Sequence, residues 1–82
     1  MSYLRHANAF LCKMFDCNID DFFDVLDIEN LYCESRGKSY DEKVSLIVES
    51  GICRLHIRDK IKQKQLAKAL ARDFGEWEGG IN

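Results

Sequence analysis

An all-α fold, a small single-domain bundle of four to five short helices, is predicted by three observations. Every strongly periodic apolar segment repeats at three and four residues, the spacing of a helix face. Most of these segments carry a recognisable cap or stop, and the chain has no proline and no second strand candidate. At 82 residues there is room for one domain, near the size at which burial only just offsets chain entropy. The expected division is a helical domain over 1–75 and a flexible tail over 76–82.

Ser2 can cap a first helix whose Leu4, Ala7, Phe10 or Leu11, and Met14 share one face, running to about Asp16. Asn18 is a good cap for a second, with Asp20 and Asp21 where carboxylates favour the helix dipole and Ile19, Phe22, Phe23 and Leu26 on one side. The phase breaks at Asp27, and Ile28, Leu31 and Tyr32 make a new stripe, so a kink or a further short helix capped by Asp27 and closed by Gly37 is expected. Ser39 and Glu42 have the spacing of a capping box, Val44, Ile47 and Val48 carry the buried face of the helix it opens, and Gly51 supplies the stop.

The stretch Ile52 to Arg58 alternates apolar and polar residues like a half-buried strand. A lone strand leaves its backbone groups unpaired, so a short helix or an extended connection is the expectation. From Asp59 to Phe74 the helical period returns, with Gln63, Leu66, Ala67, Leu70 and Phe74 on one face and Gly75 as the expected stop. Trp77, beyond that stop, is a candidate to fold back on the core. The predicted core is Phe10, Met14, Phe22, Leu26, Leu31, Val44, Ile47, Leu66, Leu70 and Phe74.

Charge is sorted along the chain. Asp16 to Glu42 holds nine acidic and two basic residues, whereas Arg54 to Arg72 holds seven basic and one acidic. Such sorting favours long-range steering and surface pairing over chemistry. On the last helix Lys64, Lys68 and Arg72 recur at four-residue spacing opposite the apolar face, with Ile61 among them. Two readings are open: an ordinary solvated face with Ile61 in a fraying first turn, or a docking surface for an acidic, partly apolar partner. The candidate partner-binding residues are therefore Ile61, Lys64, Lys68 and Arg72.

Other functions are disfavoured by the same residues. The net charge of -2 and pI near 5.6 argue against a constitutive nucleic-acid binder. Gln63 to Leu70 resembles the first helix of a helix-turn-helix, but the segment after it, Asp73 to Gly79, is acidic, glycine-containing and too short for a major groove. No glycine-rich phosphate loop or GxSxG elbow is present, so no enzyme and no cofactor is expected. His6, His56 and the four cysteines lack ligand spacing, and Asp20, Asp21, Asp24 and Asp27 lack the central glycine of a calcium loop, so no metal is expected. Polar residues interrupt every N-terminal apolar run, and nothing nears the ~18 apolar residues of a spanning helix. A cytosolic protein without direct membrane insertion, with reduced cysteines acting mostly as small core residues, is the expectation.

Over its whole length, from the opening MSYLRHANAFLCKMFDCNIDDFFDVL to the closing RDFGEWEGGIN, the chain resembles the rIII lysis-inhibition regulators of T-even bacteriophages. The resemblance rests on overall likeness, and no family binding residue transfers by motif. It implies a cytoplasmic antiholin, residing in the host cytoplasm, that binds the cytosolic N-terminal segment of the phage holin and delays lysis. The competing reading is a small phage or bacterial regulator that binds a host transcription or defence protein. A homo-oligomer is a further alternative, because an acidic half and a basic half can pair head to tail between copies.

Overall fold

The computed structural model describes residues 4–79, and the expected Ser2 cap lies outside them. Helix α1 spans Arg5–Phe15, a 3₁₀ turn Ile19–Asp21, α2 Val25–Ser35, α3 Tyr40–Ser50, a second 3₁₀ turn Ile52–Leu55, and α4 Lys60–Gly79. No strand occurs among the described residues, and the all-α expectation holds. α4 is the central element, and its largest interfaces are with α3 and α1. Both neighbours run antiparallel to it: Arg5 at the start of α1 meets Glu76, while Phe15 at its end meets Lys62, and Lys43 near the start of α3 meets Glu78.

Local chemistry explains most boundaries. The Ser39 hydroxyl accepts from the Glu42 amide at 3.2 Å, and the Glu42 carboxylate accepts from the Ser39 amide at 2.9 Å, closing the capping box of α3. Gly51 ends α3 in the left-handed region at φ 80°, where a side chain is disfavoured. α1 ends on Asp16, left-handed at φ 53°, a conformation that aspartate tolerates better than most residues. Asp59 caps α4, accepting from the amides of Ile61 at 2.8 Å and Lys62 at 3.3 Å. The ambiguous stretch after Gly51 is a 3₁₀ turn that buries Ile52 and Cys53 and exposes Leu55, so its alternation has no strand behind it.

Several expectations need correction. Asn18 caps only one 3₁₀ turn, and α2 starts later, capped by Asp24, whose carboxylate accepts from Leu26 at 2.9 Å; Asp27 does not cap it. Because the helical run is interrupted between Asp21 and Val25, Leu26 falls out of phase with the buried Ile28, Leu31 and Ser35 and points away from the core, 66% exposed. Gly75 does not stop α4, which continues to Gly79, so the boundary expected at 75 falls inside a helix.

The core comprises Leu4, Ala7, Leu11, Phe23, Ile28 and Leu31 from the first half. The second half adds Val44, Ile47, Ile52, Ile57, Leu66, Leu70 and Phe74. Phe10 and Phe22 pack against it half-buried, whereas Met14 is exposed, because the last turn of α1 directs Phe15 inward against Phe10 and Phe22. Val48 is likewise exposed. All four cysteines are free thiols, but only Cys53 is buried, and burial pushes its thiol up to about 12.

Phe74→Ala removes a fully buried ring and should cost about 3–5 kcal/mol, a large share of the roughly 5–10 kcal/mol available to such a domain. Leu26→Ala should change stability by only about 0.5 kcal/mol. Urea titrations of the two variants followed by circular dichroism check this contrast.

Candidate protein-docking surface

The outward face of α4 is built by its inward one. Leu66, Ala67, Leu70, Ala71 and Phe74 are buried, and at 100° per residue this turns Ile61, Lys64, Lys68 and Arg72 to the opposite side. All four are exposed, Ile61 at 71%. Lys64, Lys68 and Arg72 make no side-chain hydrogen bond or ion pair among the described residues. The structure therefore brings the four candidate residues onto one continuous stripe about three turns long.

What fixes this helix is ionic and lies in its last two turns. Leu4, at the N-cap position of α1, offers no side-chain acceptor. The fully buried Asp73 supplies it from α4, accepting from the amides of His6 at 3.0 Å and Ala7 at 2.9 Å. Three residues on, Glu76 takes a bidentate pair from the Arg5 guanidinium at 3.1 and 2.9 Å and meets the His6 ring at 2.8 Å. Glu78 meets the buried Lys43 ammonium and accepts from the Gly37 amide at 3.1 Å. Lys43 in turn donates to the carbonyls of Ser35 at 3.0 Å and Lys38 at 2.8 Å, so its three donors have three partners.

These partners shift the carboxyls in two directions. Hydrogen bonds from Arg5 and His6 pull Glu76 down to about 2, and those from Lys43 and Gly37 lower Glu78. Burial raises Asp73 against the opposing pull of its two amide bonds. The donor atoms of His6, Asp73 and Glu76 lie within 4.8 Å of one another, a spacing open to a cation. Both Asp73 oxygens and both Glu76 oxygens already have protein donors, so the cluster acts as a clamp on the start of α1.

A second feature was not legible in the sequence. Between the start of α1, the first 3₁₀ turn, α2 and the end of α4 lies an open groove of about 460 Å³. Buried Leu4, Phe23 and Ile28 form its floor, half-buried Ile19, Tyr32 and Trp77 its sides, and exposed Val25 its mouth, with Asp20 and Glu29 as its charged lining among the described residues. Trp77 meets Tyr32 edge-on at 4.8 Å and Phe74 at 5.4 Å. It does fold onto the core, as one more helical residue in the phase of Leu66 and Leu70. That phase was the available signal, and placing a stop at Gly75 obscured it.

Among the described residues, no helix is long and apolar enough to cross a membrane. Comparison of the chain with protein families, with curated proteins and with solved structures finds no match.

Asp73→Ala leaves two helix-start amides without their acceptor and should cost about 2–4 kcal/mol; Asp73→Asn keeps one acceptor oxygen and should cost less. Thermal melts of both variants at pH 7 read the difference. Stability should also depend on acid. A carboxyl whose folded pKa is depressed contributes stability above its unfolded value, lost as pH falls through the folded one. For Glu76 that window runs from about 4.5 to about 2, and Glu78 and Glu42 have the same sign. The raised Asp73 has the opposite sign. The midpoint should fall across this window, and Glu76→Gln should flatten the profile.

Proposed function

We propose that this chain is a non-enzymatic protein-binding module, an antiholin that holds the cytosolic N-terminal segment of a phage holin and delays lysis from the host cytoplasm. The whole-chain resemblance to the rIII regulators supplies the partner. The observation that carries the binding reading is the α4 stripe, in which a 71% exposed isoleucine stands at the N-terminal end of a row of three cations without partners among the described residues. An apolar contact beside a row of like charges suits a small docking site, the charge setting orientation and on-rate and the apolar group adding affinity. Holins act by clustering to a critical density in the membrane. A stoichiometric binder that keeps the cytosolic segment in an unproductive geometry delays that event without chemistry.

The continuous helix from Lys60 to Gly79 favours this reading over DNA binding, since the turn between two helices that a helix-turn-helix requires is not present there.

Lys64→Glu, Lys68→Glu and Arg72→Glu combined should abolish capture of the holin segment and the lysis delay, while each changes stability by only about 0.5 kcal/mol. Ile61→Ala should weaken capture without altering the melt. Capture by the parent chain should weaken with salt, because exposed charges are screened beyond roughly 8 Å at physiological ionic strength. Pull-down from holin-expressing cells, read beside lysis timing, makes the measurement. Capture that survives the triple reversal shows the stripe to be only solvated. Recovery of a host transcription or defence protein in place of the holin favours the competing regulator.

A further inference from the structure

The groove beside Trp77 is on the inward-facing side of α4, away from the basic stripe, and its charge is opposite. We propose that it is a second docking surface, which takes an amphipathic helix of a partner protein bearing aliphatic side chains on one face and Lys or Arg around them. The inference rests on the reading of the chain as a protein-binding module, but neither on the stripe nor on the identity of the partner.

Size, lining and charge each select this occupant. A volume of about 460 Å³ lies within the ~300–1,000 Å³ of sites that take a compact apolar group, the bulk of a few side chains from one helix face. The floor is apolar, and Val25 at the mouth is 54% exposed. Val25 and Glu29 are one turn apart on α2, and Asp20 borders the same space from the 3₁₀ turn, so two carboxylates line the groove that an apolar group would enter. Neither Asp20 nor Glu29 has a side-chain hydrogen bond or ion pair among the described residues. Cations flanking the apolar face of the incoming helix complement them. The same carboxylates disfavour an anionic lipid surface.

The chain has one tryptophan, and it lines the groove, so its fluorescence reports occupancy. The probe is a tryptophan-free 14-residue peptide with Leu on one helical face and Lys elsewhere. Its controls are a scrambled peptide of equal composition and a version with Glu in place of Lys. Titrated into the full chain at physiological salt, the first peptide should shift Trp77 emission to the blue and the controls should not. Asp20→Lys combined with Glu29→Lys, both at exposed positions, should weaken binding about tenfold or more, and Val25→Gln should weaken it severalfold. Neutralising the stripe with Lys64→Gln, Lys68→Gln and Arg72→Gln should leave the affinity within about threefold. Circular dichroism confirms that each variant is folded, and Val25→Gln carries the test if the charge reversals are not. Equal binding of the scrambled peptide, or indifference to both the charge reversals and Val25→Gln, overturns the proposal. Failure of the peptide to bind while the holin segment is still captured overturns the groove alone. Peptide binding without holin capture overturns the antiholin reading alone.

Discussion

The start of α1 has no cap of its own, and the arrangement of the bundle depends on where that cap is found. Leu4 occupies the N-cap position, so the first amides of the helix need an acceptor from elsewhere. Asp73 provides it from a residue 66 positions from Ala7. Its negative charge also sits at the positive end of the α1 dipole. A carboxylate with no exposed surface is tolerable only because both oxygens are satisfied. The register of α1 against α4 is thereby fixed: shifting either helix by one turn would leave a buried charge and two amides unpaired.

Lys43 plays the complementary part at the other pole. Its buried ammonium donates to the carbonyl of Ser35 at the C-terminal end of α2 and meets Glu78 at the end of α4. A cation at a helix C-terminus is favoured by the same dipole that favours Asp73 at an N-terminus. Two helix ends are thus met by opposite charges from other helices. In a domain this small, where apolar burial is limited, such contacts specify the packing of helices whose apolar faces alone would allow sliding.

This division explains what could be read from the sequence. Ser39, Glu42 and Gly51 act on backbone close to them in the chain, so the limits of α3 were legible. The outward position of Lys64, Lys68 and Arg72 was legible too, because it is set by the phase of Leu66 and Leu70. Gly75 misled because glycine near the end of a period usually marks a stop. Here the helix is held past it by Arg5, His6 and Lys43, which are distant in sequence. Leu26 misled because a pattern cannot show that one helical turn ends at Asp21 and a new helix begins after its cap at Asp24. The groove was hidden for a deeper reason. Its lining comes from three helices and a turn, and no local period connects Leu4, Phe23, Tyr32 and Trp77.

The sorted charge of the sequence acquires its meaning from which acids the fold engages. Around α4, Asp59 caps the start, Asp73 and Glu76 hold α1, and Glu78 holds Lys43 and Gly37. Every acidic side chain of that segment faces an internal donor, and none offsets Lys64, Lys68 or Arg72. In the acidic segment, Asp21, Asp24 and Glu42 act as caps, whereas Asp20, Asp27 and Glu29 have no side-chain partner among the described residues. Folding therefore consumes opposite charges unevenly and leaves a cationic stripe on one side of α4 and an acidic margin around the groove. Both leftover surfaces contain exposed apolar residues, Ile61 in one and Val25 in the other. Single exposed apolar residues also occur elsewhere on the molecule, at Leu26 and Leu55 for instance, and are ordinary on a protein surface, so it is the uncompensated charge beside Ile61 and Val25 that sets these two surfaces apart.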